Sequence, residues 1–197
     1  MVRTHTVRLF PTPEQVDMIE LCVAAEMVLH DLLVRNARDE WISSGRVPDF
    51  SRWESLIDGL REDNERFSVL DRGGLIRIAG EIHTAVSDAA LYCDAEDILD
   101  SFPEYYEESD RYGVPLYVGG ACSLSFDEHT VCIPGIGDVF FFGNDRSFSD
   151  NTEMAVRFTD YSWVLEWQEL RKIRPAGWFY RPIEDKDGNV SFIKEQV

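Results

Sequence analysis

The hydrophobic residues of this chain change period twice, and few architectures accept that order. Residues 2–10 alternate, Val2-Arg3-Thr4-His5-Thr6-Val7-Arg8-Leu9-Phe10, the period of a half-buried strand. From Val16 the spacing becomes helical, through Ile19, Val23, Met27, Leu29, Leu32 and Leu33. From about residue 114 the pattern returns to short strands. A strand, then helices, then a run of strands reads as an α+β protein.

Local signals mark the boundaries. Pro11-Thr12-Pro13-Glu14 stops the first strand and starts a helix: Thr12 suits the N-cap, Pro13 the first helical position, and Glu14 the positive helix end. That helix runs to about Ile42 and ends at Ser43-Ser44-Gly45. A second is predicted over Ser51–Glu62, with Trp53, Leu56, Ile57 and Leu60 on its apolar side. A third is predicted over Asp71–Leu99, weakened at its start by Gly73-Gly74. Strands are predicted at Val114–Val118, Cys122–Phe126, Thr130–Ile133 and Asp138–Phe142, with turns at Gly119-Gly120, Asp127-Glu128 and Pro134-Gly135. A polar loop over 143–153 precedes strands at Met154–Phe158, Ser162–Trp167, Gly177–Ile183 and Val190–Ile193, the last two joined at Asp187-Gly188. The expected fold is a small antiparallel β-barrel whose first strand is split from the rest by a three-helix insertion.

Charge narrows the partners. Nineteen Lys plus Arg face thirty-seven Asp plus Glu, a formal net charge of -18. Such a field repels nucleic-acid phosphate and anionic lipid and attracts basic protein surfaces. Only Lys172, Lys186 and Lys194 are lysines, so a salt-adapted or GC-rich source is the alternative origin of the acid. No apolar run is long enough to span a membrane, and the start, MVRTHTVRLFPTPEQ, is unlike a secretory leader. A cytoplasmic location is expected, that of the host cell if a phage encodes the chain. Cys22, Cys93, Cys122 and Cys132 form no C-x-x-C pair and read as free thiols, with a Cys122–Cys132 hairpin disulfide as the alternative.

No catalytic pattern is present. A two-metal nuclease needs converging carboxylates, and here the acids lie in surface-like runs. His5, His30, His83 and His129 are scattered, none paired with another ligand at helical spacing. Gly135-Ile136-Gly137 falls between two strands and reads as a turn, not a phosphate loop. The reading is a protein that is not an enzyme, with no cofactor and no metal site.

Val7-Arg8-Leu9-Phe10-Pro11-Thr12-Pro13-Glu14-Gln15 resembles the opening of the TnpB family, transposon-encoded RNA-guided nucleases related to type V CRISPR effectors. Three further segments are similar to the family's landmarks, in its order. They are Phe102-Pro103-Glu104-Tyr105, then Val131-Cys132-Ile133-Pro134-Gly135-Ile136-Gly137-Asp138-Val139, then Ala176-Gly177-Trp178-Phe179-Tyr180. The resemblance covers the family's front half and stops about where its first RuvC carboxylate strand begins. It implies a wedge-type, oligonucleotide-binding-like barrel from residues 1–11 and 112–197. Residues 12–111 would form a helical recognition-like insertion with an acidic loop at 94–110.

Departures from the family's pattern point to the site. Where the family's first helix carries Arg and Asn, this chain has Glu26 and His30. Where its basic P-R-F-K-S stretch meets nucleic acid, this chain reads Pro103-Glu104-Tyr105-Tyr106-Glu107-Glu108. The family's turn lysine is replaced by Gly135. From Asp94 to Asp110 the acids are Asp94, Glu96, Asp97, Asp100, Glu104, Glu107, Glu108 and Asp110, with no Lys or Arg among them. With about four phosphate contacts turned repulsive at ~1 kcal/mol each, guide-RNA binding in the family's manner fails.

The expected function is therefore a non-catalytic, TnpB-derived interaction protein that blocks a basic partner. An anti-CRISPR-like or nucleic-acid-mimic inhibitor of an RNA-guided nuclease, such as a virus or mobile element carries, fits that logic. Its partner-binding residues would be Glu26, His30, Glu104, Tyr105, Tyr106, Glu107, Glu108 and Asp110. The alternative is a transposase-derived nucleic-acid-binding regulator from a salt-adapted host, using Arg3, Arg8, Arg35, Arg38 and Trp178. A decaying transposon fragment is a third reading.

Overall fold

The structure, a computed structural model, describes residues 2–93, 97–118, 122–125, 127–143, 154–170, 178–184 and 190–196, with side chains described from Thr4 to Gln168. The fold is α+β. Strand β1 (Val2–Phe10) leads into α1 (Pro13–Ser44), α2 (Phe50–Asp63), a single turn α3 (Glu65–Ser68) and α4 (Arg72–Tyr92). Two short 3-10 turns at Ile98–Ser101 and Glu108–Tyr112 follow. The strands after them are β2 (Leu116–Tyr117), β3 (Ser123–Ser125), β4 (Thr130–Ile133), β5 (Gly137–Phe142), β6 (Met154–Thr159), β7 (Ser162–Leu170), β8 (Trp178–Glu184) and β9 (Val190–Gln196).

Seven strands form one antiparallel sheet in the order β2-β6-β7-β1-β5-β4-β3, and β8 and β9 form a separate hairpin. Strand β1 sits inside the sheet: Arg8 faces Phe142 of β5 and Val164 of β7. The residue order therefore carries the chain away from β1 through four helices before the sheet is completed on both sides of it. Among the described residues no ladder joins β2 to β3, so the sheet is open at both ends.

Alternation explains which face is buried. His5, Val7 and Leu9 of β1 point inward with Val139 and Phe141 of β5 and Trp163, Leu165 and Trp167 of β7. The buried His5 stacks on Trp167, its register partner, at 5.4 Å. This face and the helical residues Ile19, Leu29, Leu33, Trp53, Ile57, Leu75 and Ile82 belong to one continuous core. Among the described residues, β1, β2 and β4 to β7 thus share their interior with the helices between β1 and β2.

Helix α1 starts as its sequence directs. Thr12 caps the Gln15 N–H, and the Gln15 side chain returns to the Thr12 N–H at 3.0 Å. It ends at Gly45, whose φ of 66° is the left-handed conformation open to glycine. The third predicted helix is shorter than expected: α4 stops at Tyr92, where Cys93 turns extended, instead of continuing to Leu99. Its last turn carries no basic residue, and the acids of 97–100 would repel the negative helix end. Turn α3 was not expected. The Gly119-Gly120 and Asp187-Gly188 turns, the 143–153 loop beyond Gly143, and Ala176-Gly177 lie outside the described residues.

All four cysteines are free. Cys122 is buried and Cys132 exposed, and the register sets Cys132 opposite Ser123, not opposite Cys122.

Candidate functional site

The acidic segment is a strap along α1. Phe102 is buried edge-on against Trp41 at 6.2 Å. One turn back along the helix, Arg38 donates to the Pro103 carbonyl at 3.5 Å and lies over the Tyr105 ring at 5.6 Å. Further back, the Asp31 carboxylate accepts the Tyr106 N–H at 3.0 Å, and the His30 ring packs on Tyr106 at 4.2 Å. Arg111 then pairs with Glu20 at 2.6 Å. The segment runs antiparallel to α1, and at ~1.5 Å per residue the anchors from Trp41 to Glu20 span about 30 Å.

The anchoring decides which side chains remain for a partner. Glu104, Tyr105, Glu107, Glu108 and Asp110 face solvent, whereas Tyr106 is half-buried. Asp110 also has a local role, since its carboxylate accepts the Glu107 N–H at 2.8 Å. Asp97 and Asp100 are exposed; Asp94 and Glu96 lie outside the described residues.

Glu26 is not on this surface. It is 1 % exposed, on the helix stripe that also buries Ile19, Cys22, Leu29 and Leu33. Its Oε1 accepts the Tyr117 N–H at 3.2 Å, while Oε2 is buried without a hydrogen-bond partner among the described residues. Burial pushes its carboxyl well above the usual carboxylate range; the Tyr117 N–H opposes the shift, and the charges of Asp71 and Glu81 add to it. Tyr117 reaches Glu26 because Gly74 lets it: a Cβ there would lie 2.7 Å from Tyr117 Cβ and 2.8 Å from its carbonyl oxygen. The same Gly74 N–H is capped by Asp71 at 2.8 Å.

Glu26 and His30 line one cavity of about 180 Å³ together with Ile78, Glu81, Tyr106 and Tyr117. Glu26, His30 and the strap residue Tyr106 therefore meet at a single place. The sequence reading missed Tyr117 and Glu81 as members of that site. Its available signal was Glu26 itself, an acid on an otherwise apolar helical stripe.

The arginines of the alternative reading part company. Arg38 is engaged in holding the strap, and Arg35 is exposed. Arg8 lies over the Phe10 ring at 5.4 Å on the outer face of the sheet. Phe10, Phe140 and Phe142 are exposed on that face by 48 %, 50 % and 74 %. Arg3 and Trp178 occupy β1 and β8, and their side chains lie outside those described.

Reactive chemistry is weak where it is visible. Burial pushes the Cys22 thiol up to about 11 and that of Cys122 to about 12, far from a nucleophilic thiolate. Among the described residues no three His, Cys, Asp or Glu side chains are grouped to hold a metal ion, and no helix is long and apolar enough to cross a membrane. No protein-family model and no curated protein matches the chain.

Proposed function

We propose that this chain is a non-catalytic interaction protein that works by occupancy, binding a basic partner through the acidic strap on α1. The observation that carries the reading is the presentation of Glu104, Glu107 and Glu108 as exposed acids on a segment anchored by Arg38, Asp31 and Glu20. Acids held on a docked segment keep their spacing, so a basic groove meets a prepared surface and loses less entropy on binding. The net charge of -18 accelerates such an encounter and disfavours phosphate. With the TnpB-like landmarks, the partner class is an RNA-guided nuclease or its nucleic-acid channel, and the mode is anti-CRISPR-like inhibition inside the host cytoplasm. A wedge-type barrel with a split first strand belongs to the same proposal.

The test is direct binding to guide-free and guide-loaded RNA-guided nucleases at increasing salt, with target cleavage as the second readout. Salt-sensitive binding that lowers cleavage supports the reading. Cleavage of DNA or RNA by the protein itself with Mg²⁺ or Mn²⁺, tracking a point variant through purification, would falsify the non-catalytic part.

A second reading rests on the outer sheet face. Arg8 with Phe10, Phe140 and Phe142 forms a cation-plus-aromatic platform of the kind on which single-stranded bases stack. Under it, an oligonucleotide binds the intact protein, and the variant Phe140→Ala with Phe142→Ala loses that binding.

A further inference from the structure

The cavity bounded by α1, α4, the strap and β2 has an acid with no counter-charge among the described residues. At about 180 Å³ it is close to the roughly 150 Å³ that accepts a benzene-sized guest. It takes the end of one side chain, not a nucleotide. Glu81 on its wall is already engaged, accepting Arg77 Nε at 3.0 Å and the Tyr117 hydroxyl at 3.3 Å. Glu26 is different. Its Oε1 holds the Tyr117 N–H, and its buried Oε2 has no donor among the described residues. A buried polar oxygen without a hydrogen-bond partner is costly, and a ligand that supplies the partner recovers that cost on binding.

We infer that this cavity receives a single alkylammonium, the end of a lysine side chain of the partner protein, with Glu26 Oε2 as its acceptor. The inference rests on the reading that the protein binds a basic partner. The other walls suit a cation on an alkyl stem. Tyr106, Tyr117 and His30 present rings, and Ile78, Ile82 and Val114 present apolar surface. Ammonium fits better than guanidinium. A guanidinium fork wants both carboxylate oxygens, and here one already serves the Tyr117 N–H.

The proton balance follows from the surroundings. Titratable groups facing Glu26 are Cys22 and His30 on α1, Asp71 and Glu81 from the α4 side, Tyr106 on the strap and Tyr117 on β2. Burial raises the empty site's carboxyl well above its ordinary range and so favours its protonated form. Entry of an ammonium makes the carboxylate the favoured form, and the displaced proton leaves to the buffer. Affinity therefore rises with pH until Glu26 is ionised without the ligand.

The experiment titrates n-butylammonium, N-acetyl-lysine N-methylamide and n-butanol into the intact protein. Tyr117 amide resonances report binding, and calorimetry in buffers of different ionisation enthalpy reports proton release. Both cations should move the Tyr117 amide saturably with proton release, and n-butanol should do neither. Glu26→Gln keeps an acceptor for Tyr117 and should weaken both cations by about tenfold or more. Glu81→Gln, on the rim, should weaken them less. An equal response to n-butanol, or unchanged affinity in Glu26→Gln, overturns the site. A response to n-butylammonium without one to the lysine amide overturns the lysine assignment. The variant Glu104→Lys, Glu107→Lys, Glu108→Lys separates the two levels. Nuclease binding lost there while n-butylammonium still binds wild type supports both. Nuclease binding without any cation response overturns the cavity alone, and cation response without nuclease binding overturns the lysine source.

Discussion

The carboxylate of Asp31 accepts the backbone N–H of Tyr106 at 3.0 Å across 75 positions of sequence. The same oxygen lies 3.1 Å from His30 Nδ1, so one side chain on α1 fixes both the backbone of the strap and the ring that packs on Tyr106. It is the middle anchor between Arg38 and Glu20. Asp31→Ala should lower stability by about 1–2 kcal/mol, the scale of a partly exposed charge-assisted hydrogen bond. Asp31→Asn keeps an acceptor and should cost less. Hydrogen exchange at the Tyr106 amide checks the assignment; protection unchanged in Asp31→Ala would remove this anchor.

The outward acids should behave differently from the anchors. Glu104, Glu107 and Glu108 are exposed, and only Glu107 has a local role, in a capping box with Asp110, whose carboxylate accepts the Glu107 N–H at 2.8 Å. Changing all three to Lys should lower stability by no more than the Glu107 cap, about 1 kcal/mol. Partner affinity should fall by about 1–3 kcal/mol for each pair the partner buries. Calorimetry against the partner at low and high salt reads both, since screening acts beyond a Debye length of about 8 Å at physiological salt. Affinity unaffected by the triple change would move the binding face elsewhere.

Gly135 sits in a turn whose backbone and surroundings both exclude a side chain. Its φ is +77°, and a Cβ there would lie 2.9 Å from Val69 Cβ, so no side chain has an unstrained place here. Gly137 has φ +89° but nothing within 4 Å of a built Cβ. Gly135→Ala should therefore destabilise by roughly 1–3 kcal/mol and Gly137→Ala by less, since only the first combines backbone strain with a clash. Denaturant midpoints of the two variants decide it, and equal losses would show that only the backbone angle matters.

Local chemistry was legible in the sequence, as was the return of late strands to the first; which of them flank it was not. The alternation of Val2–Phe10, the Thr12 cap and the Gly45 stop are signals within a few residues of each other, and the structure follows them. Strand positions from 114 onward were readable by the same period of two. The order β7-β1-β5 was not, because it depends on which strand edges meet after four helices intervene. The strap escaped notice for a similar reason. The acids between 94 and 110 read as a partner-binding loop, but nothing near them shows that it is docked, because the contacts that hold it come from Asp31, Arg38 and Glu20 far upstream. Glu26 was read as part of a binding surface because it stands where the first helix of the resembled family carries Arg. Its place among Ile19, Cys22, Leu29 and Leu33 was the signal that it faces inward.

That burial sets a pH dependence with a definite sign. The Glu26 carboxyl in the fold titrates well above its ordinary value of 4.5, raised first by burial and further by Asp71 and Glu81. A group whose folded value is raised binds its proton more tightly in the native state than in the unfolded chain. Its contribution is fully favourable below the unfolded value and is lost as pH rises toward the folded one. Glu26→Gln removes the titration while keeping the acceptor for Tyr117. The variant should therefore be more stable than wild type at neutral pH, by an amount that shrinks as pH falls toward 4.5. The other buried groups titrate identically in both proteins, so the difference between the two stability curves isolates Glu26. Denaturant unfolding of both proteins across that range is the measurement. A difference that is flat with pH, or that grows toward acid, would mean Glu26 is ionised in the native protein and its Oε2 is satisfied by solvent.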